Sequence, residues 1–218
     1  MSTVYSNHAQ VGALSSETSM ELHSALSVNL WRGNKGLSVP GFFKTVDRLE
    51  ISSARNDPYA DYSLLLIEDA INKGLSTLDR LSDAAEQTGL SRSRISTNGC
   101  RSKSPVVVKL FIRARFAWRL VALVEQFDLF MVDLMDLNFK AKITRSVFEK
   151  QQSEALSAVR HVLSVAMKCA ASGITRNDVS ANNPKAVAAH KKFGLIPQEV
   201  MEGLVRAEFA PAILKASA

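Results

Sequence analysis

The sequence predicts a mainly α-helical protein with one short β ribbon, and three observations predict it. Apolar residues recur at three- and four-residue steps over long stretches, as in amphipathic helices. One compact run rich in β-branched residues, Val106 to Ile112, follows Pro105 and reads as a strand. Of the 218 residues, 46% are hydrophobic and 22% charged, which supplies one sizeable core or two small ones and excludes a disordered chain.

Taken in order, residues 1–18 are rich in Ser and Thr without periodicity and are expected to form a mobile arm. Residues 19–218 are expected to form a single helical domain. Met20, Leu22, Leu26, Val28 and Leu30 alternate with Glu21, His23, Ser27 and Asn29, which predicts a half-buried strand over about 20–31. The spacing Leu22, Leu26, Leu30 leaves a helix open there. Gly33-Asn34-Lys35-Gly36 is a turn without the spacing of a phosphate loop. Residues 41–54 form a short amphipathic helix. Asp57-Pro58 is a cap followed by proline, opening a helix to about Gln87 with the stripe Leu64, Ile67, Ile71, Leu75, Leu78 and Leu81. Gly74 weakens that helix slightly, and Gly89 stops it. A polar, basic loop covers 91–104. After the strand come a helix over about Phe116 to Leu137, a turn from Lys140 to Thr144, and a helix capped by Thr144 and running to about Ala171. The stripe of that last helix is Val147, Leu156, Val159, Leu163, Ala166 and Cys169. Asn183-Pro184 opens a short helix to Phe193, and a final one starts near Pro197.

Charge is the first pointer to function. Net charge is +6, yet Gln87 to Val124 holds eight of the 27 Lys and Arg residues and none of the 21 Asp and Glu. That window carries +8 and the rest of the chain −2. A localised cationic stretch is the footprint of a polyanion such as double-stranded DNA, and charge alone would fit any polyanion. The bland alternative is a solvated basic surface.

The order strand, helix, turn, helix over about 105–171 is that of a ribbon-helix-helix element, here embedded in a larger helical domain. Its first helix is about twice the usual length. A lone strand leaves its backbone groups without partners. It therefore pairs with residues 20–31 or with the same strand of a second subunit, and the second choice builds an intersubunit ribbon for the major groove. Alternation places Val106, Val108, Leu110 and Ile112 inward and Val107, Lys109, Phe111 and Arg113 outward. Lys109 and Arg113 are candidates for guanine O6 and N7, and Val107 and Phe111 for thymine methyls. Outward Val107 and Phe111 suit a protein partner equally well, and an interior strand with Lys109 reaching to solvent is the plain structural alternative. Lys140, Lys142, Thr144 and Arg145 sit beside a helix N-terminus, where phosphates bind. Arg92, Arg94, Arg101, Lys103 and Arg115 are further phosphate candidates, against the alternative of a solvated loop and turn.

Other chemistry finds little support. Cys100 and Cys169 have no CxxC partner, so no metal, cofactor or disulfide framework is expected. His8, His23, His161 and His190 make no HExxH pattern, and no GxSxG occurs. Asp57 and Asp61 form a possible carboxylate pair, but capping explains Asp57. No enzyme is expected. The polar N-terminus has no signal-peptide pattern and the apolar segment Phe116 to Leu137 carries Arg119, Glu125, Asp128 and Asp133, so a cytoplasmic chain away from membranes is expected.

Several strings together resemble a known family: Asn56-Asp-Pro-Tyr-Ala-Asp-Tyr62, Pro105 to Ile112, Phe116-Ala-Trp-Arg-Leu-Val121, Phe127-Asp128, Gly173-Ile-Thr-Arg-Asn-Asp-Val179 and Ala181-Asn-Asn-Pro-Lys185. The chain resembles the AcaB-like regulators of conjugative plasmids and integrating conjugative elements over roughly residues 20–203. The resemblance implies a cytoplasmic transcriptional activator of conjugation genes, and a homodimer is expected from the need of the ribbon strand for a partner. The resemblance further implies a ribbon at Val106 to Ile112 that binds promoter DNA, with RNA polymerase as a further partner. A protein-interaction module of such an element, without DNA readout, is the rival reading.

Overall fold

The helix from Pro58 to Gly89, 32 residues long, is the post against which the main helices pack. A computed structural model describes residues 18–33, 37–89 and 100–214. In chain order the elements are β1 (Thr18–Leu22), α1 (Ala25–Arg32), α2 (Val39–Ala54), α3 (Pro58–Gly89), β2 (Val106–Leu110), α4 (Arg115–Phe139), α5 (Arg145–Lys168), α6 (Arg176–Ser180), α7 (Pro184–Phe193) and α8 (Gln198–Glu202). The fold is thus mainly α with a short β ribbon, as expected, and β2, α4 and α5 follow one another as strand, helix, helix. Residues 1–17 of the expected arm, the part of the basic loop carrying Arg92 and Arg94, and residues 34–36 of the Gly33–Gly36 turn lie outside the described residues, whereas Thr18, expected in the arm, opens β1.

Local chemistry explains the helix starts. Asp57 Oδ1 accepts the N–H groups of Tyr59 and Ala60 at 2.9 and 3.2 Å, and so satisfies donors that the first turn of α3 leaves over. Ser38, Thr144 and Asn183 cap α2, α5 and α7 through their side chains. The α3 stripe is buried as expected at Leu64, Ile67, Ile71, Leu78 and Leu81, whereas Leu75 is only partly buried. Gly74 has a packing role: a Cβ there would meet Leu123 of α4 at 3.2 Å and Val162 of α5 at 3.6 Å. The three helices close to that distance because the residue has no side chain. Phe116, Phe127 and Phe130 of α4 fill the centre of the core. On α5, Val159, Leu163 and Ala166 are buried, but Val147 of the expected stripe is exposed, since the first turns of α5 project beyond the packed region.

The strand expected over about 20–31 is corrected. Only Thr18–Leu22 is extended, and α1 follows. Ser24 is the reason, because its hydroxyl accepts the Ser27 N–H and starts a helix. The buried carboxylate of Asp128 in α4 takes the N–H groups of His23 and Ser24, both at 2.8 Å, and bends the chain away from β1. Leu26 and Leu30 keep the helical spacing within α1, while Leu22 ends the strand. A further helix, α6, was not anticipated; Thr175 and Asp178 form a capping box at its start.

Candidate nucleic-acid interface

The two strands make one antiparallel ribbon in register Thr18↔Leu110, Ser19↔Lys109, Met20↔Val108, Glu21↔Val107 and Leu22↔Val106. One partner left open by the sequence is therefore chosen. β2 pairs with residues of its own chain, and the two-stranded ribbon is intramolecular rather than built from one strand of each subunit. The pairing is favoured because Leu22, Val108 and Leu110 are then buried together on the core.

The strand expected over Val106 to Ile112 ends at Leu110, where the pairing with β1 stops, and within it and just beyond it buried and exposed residues alternate as expected. Val108 and Leu110 are buried, and Val106 and Ile112 are half-buried. Val107, Lys109, Phe111 and Arg113 are exposed, Phe111 at 87% and Val107 at 58%. No hydrogen bond or ion pair among the described residues engages the Lys109 side chain, so its ammonium is available to a ligand. From β1 the outward face receives Ser19 and Glu21, which the sequence reading did not assign to the site. The signal was present in the polar half of the Met20–Leu30 alternation, but a partner strand had to be known before those positions joined the face.

Cations lie at both ends of the ribbon. Near the Leu22–Val106 end, the Ser102 N–H is donated to His23 Nδ1 at 3.3 Å, which ties the Cys100–Ser104 segment to β1. Arg101 and Lys103 flank that tie and are exposed. Beyond the other end stand Arg113 and Arg115, also exposed. The first N–H groups of α4 are not free for a phosphate, because Glu50 Oε1 accepts from Phe116 N at 3.0 Å. Burial pushes the Glu50 carboxyl above its ordinary value, against the lowering effect of the backbone bonds and Arg115.

The turn between α4 and α5 is a separate place. Asp128 contacts the residues just after β1, and the stretch of α4 from Asp128 to Lys140 adds roughly 18 Å. Lys140 pairs with Asp136 at 2.5 Å and Arg145 with Glu149 at 2.8 Å. Thr144 accepts the Val147 N–H at 3.3 Å, and Lys142 is half-buried. The structure thus groups Arg101, Lys103, Lys109, Arg113 and Arg115 about the ribbon and sets Lys140, Lys142, Thr144 and Arg145 apart. Arg119 turns away from the ribbon: it bonds Asn72 Oδ1 at 2.5 Å and lies 4.6 Å from the Phe209 ring centroid.

The two most distinctive strings build a clasp instead. Asp61 has no exposed surface. Its carboxylate accepts from Ser53 Oγ at 2.5 Å, from Arg176 at 2.7 Å, and from Arg206 at 3.0 and 3.1 Å. Asp57 takes the N–H groups of Ser172 and Gly173, each at 2.8 Å, and the Ser172 hydroxyl at 2.7 Å. Together they bind the start of α3 to the C-terminal third of the chain. Tyr59 donates to the Gly194 carbonyl at 3.0 Å, and its oxygen lies 2.9 Å from His190 Nδ1. These groups are consumed by one another, so Asp57 and Asp61 do not act as a carboxylate pair. Among the described residues no group of His, Cys, Asp and Glu is arranged to hold a metal ion, and no helix is long and apolar enough to cross a membrane.

No curated protein matches the chain. Among solved structures, the crystal structure of selenomethionine-containing AcaB from uropathogenic E. coli is similar, with a TM-score of 0.57 and 11% sequence identity over 85% of this chain and 94% of that one. At that identity the likeness establishes a shared fold. The family described as transcriptional regulator AcaB matches residues 10–214, which takes in the ribbon, the helical core and the clasp. By that match over nearly its whole length, the chain belongs to the AcaB family of transcriptional regulators.

Proposed function

We propose that the chain is a sequence-specific DNA-binding activator of conjugative transfer genes that lays its β ribbon in the major groove of promoter DNA. The observation that carries this reading is Lys109. Its side chain stands unengaged among the described residues on the outward face of the ribbon, with Arg101 and Lys103 near one end and Arg113 and Arg115 beyond the other. A two-stranded ribbon fits the major groove, and a Lys there reaches guanine O6 and N7. The flanking cations suit phosphates, which fix position without reading sequence. The turn cations Lys140, Lys142 and Arg145, with Thr144, extend the phosphate track if the duplex lies along α4. Activation, the transfer genes and RNA polymerase as a partner rest on the family resemblance. Homodimerisation accords with the edge of β2 away from β1, which carries no strand among the described residues.

The test is anisotropy titration of promoter duplex and random duplex over a salt series. Lys109→Ala is expected to weaken the promoter complex by about tenfold or more while random duplex changes little. Equal losses on both would remove Lys109 as a base reader. The outward Val107 and Phe111 favour a second reading, a protein-docking ribbon without DNA readout. Absence of any duplex binding at low salt would decide for it.

A further inference from the structure

We infer that Glu21, on the β1 half of the outward ribbon face, selects cytosine next to the guanine taken by Lys109. The inference rests on the DNA-reading proposal above and adds a second strand, of opposite charge, to the reading surface. The register sets Glu21 opposite Val107 and Ser19 opposite Lys109, which makes Glu21 and Lys109 diagonal neighbours on one face. Such positions are roughly 7–8 Å apart. The Glu21 side chain is 59% exposed, and among the described residues the His23 ring lies near its carboxylate, with Nε2 at 3.7 Å from Oε2. His23 Nδ1 accepts the Ser102 N–H, so the ring's other nitrogen carries the proton and faces the carboxylate. Glu21 is therefore an exposed, acceptor-only group with which Lys109 makes no ion pair.

A carboxylate on a face meant for DNA repels phosphates and has no favourable partner on the backbone. The base edges offer it amino donors, and cytosine N4 is the one that a Glu matches. Lys109 is the complementary donor for guanine O6 and N7. Together they match the acceptor and donor pattern of G·C pairs, and Ser19 between them suits either base. Glu21 thus lowers affinity for DNA in general and raises discrimination.

The experiment uses the full chain and a duplex that it selects from a randomised pool, single-pair variants of that duplex, and random duplex. Melting temperatures serve as a folding control. Glu21→Ala is expected to bind random duplex more tightly than the wild type and to lose about tenfold discrimination at one C·G pair near the pair read by Lys109. Glu21→Gln is expected to move the preference at that pair toward adenine, whose N6 and N7 suit a Gln. If both variants gain affinity for every duplex by the same factor and keep the wild-type preference, Glu21 is only a repulsive surface charge and the inference falls alone. If the wild type selects no sequence, the DNA-reading proposal falls and takes this one with it.

Discussion

Replacing Asp61 by alanine should cost more stability than any change on the ribbon, and the structure sets the size of the loss. Asp61 is wholly buried between Arg176 and Arg206, whose side chains are 10% and 19% exposed. Removing the carboxylate strands two cations in a region from which water is largely excluded. Both guanidiniums keep other partners, the Val200 and Met201 carbonyls for Arg176 and Ser53 Oγ and the Pro211 carbonyl for Arg206. Those partners satisfy N–H groups without cancelling charge. Breaking a buried pair costs about 3–5 kcal/mol. In a chain of this size that is roughly 6–20 °C of melting temperature. Arg176→Met should cost about half as much, because Asp61 keeps Arg206. Lys73→Ala is the control: its pair with Asp69 is 70% and 61% exposed, and such pairs contribute about 0–1 kcal/mol. Urea and thermal unfolding followed by circular dichroism measure all three. A loss below about 1 kcal/mol in Asp61→Ala, or a larger loss in Arg176→Met, would refute the account of the clasp.

Two further predictions concern charge. Arg101→Ala with Lys103→Ala is expected to lower the slope of log affinity against log salt by about 2 while leaving the preferred sequence unchanged; an unchanged slope would remove both as phosphate contacts. Glu50 gives a pH test. Its carboxyl is raised by burial, so the folded state favours the protonated form; that contribution is full below the unfolded value of 4.5 and is lost as pH rises through the raised value. Glu50→Gln keeps an acceptor for the Phe116 N–H and removes the buried charge. Its melting temperature relative to wild type should therefore rise between pH 4 and pH 7, and a constant difference would show that Glu50 carries no net burial cost.

Much of the candidate site was legible because strand alternation is a local property. Val107 and Lys109 fall on one face wherever the strand sits, and the inward set must pack on something apolar; Phe111 and Arg113 are exposed just past its end. The strand's partner was not legible in the same way. Pairing with β1 depends on where Asp128, more than a hundred residues away, captures the His23 and Ser24 N–H groups. For the same reason the alternation after Leu22 misled. Val28 and Asn29 obey a period of two by coincidence, and the Ser24 cap decides for helix. The basic turn illustrates the limit of charge reading. Lys140 and Arg145 are near in sequence to the ribbon's helix, yet α4 carries them well beyond Asp128.

By itself the sequence determined α2 to α5 and α7, the caps at Asp57, Thr144 and Asn183, the ribbon strand and its two faces, and the concentration of positive charge in Gln87 to Val124. All of these follow from periodicities and side-chain chemistry acting over a few residues. Only the tertiary structure decided which strand completes the ribbon, that Glu21 joins Lys109 on its outward face, and that the Asn56–Tyr62 and Gly173–Val179 strings form a buried clasp. Those outcomes come from contacts between residues 84 or more positions apart, Leu22 with Val106 being the nearest in sequence. The free energy of such contacts depends on burial and charge pairing that no local pattern encodes.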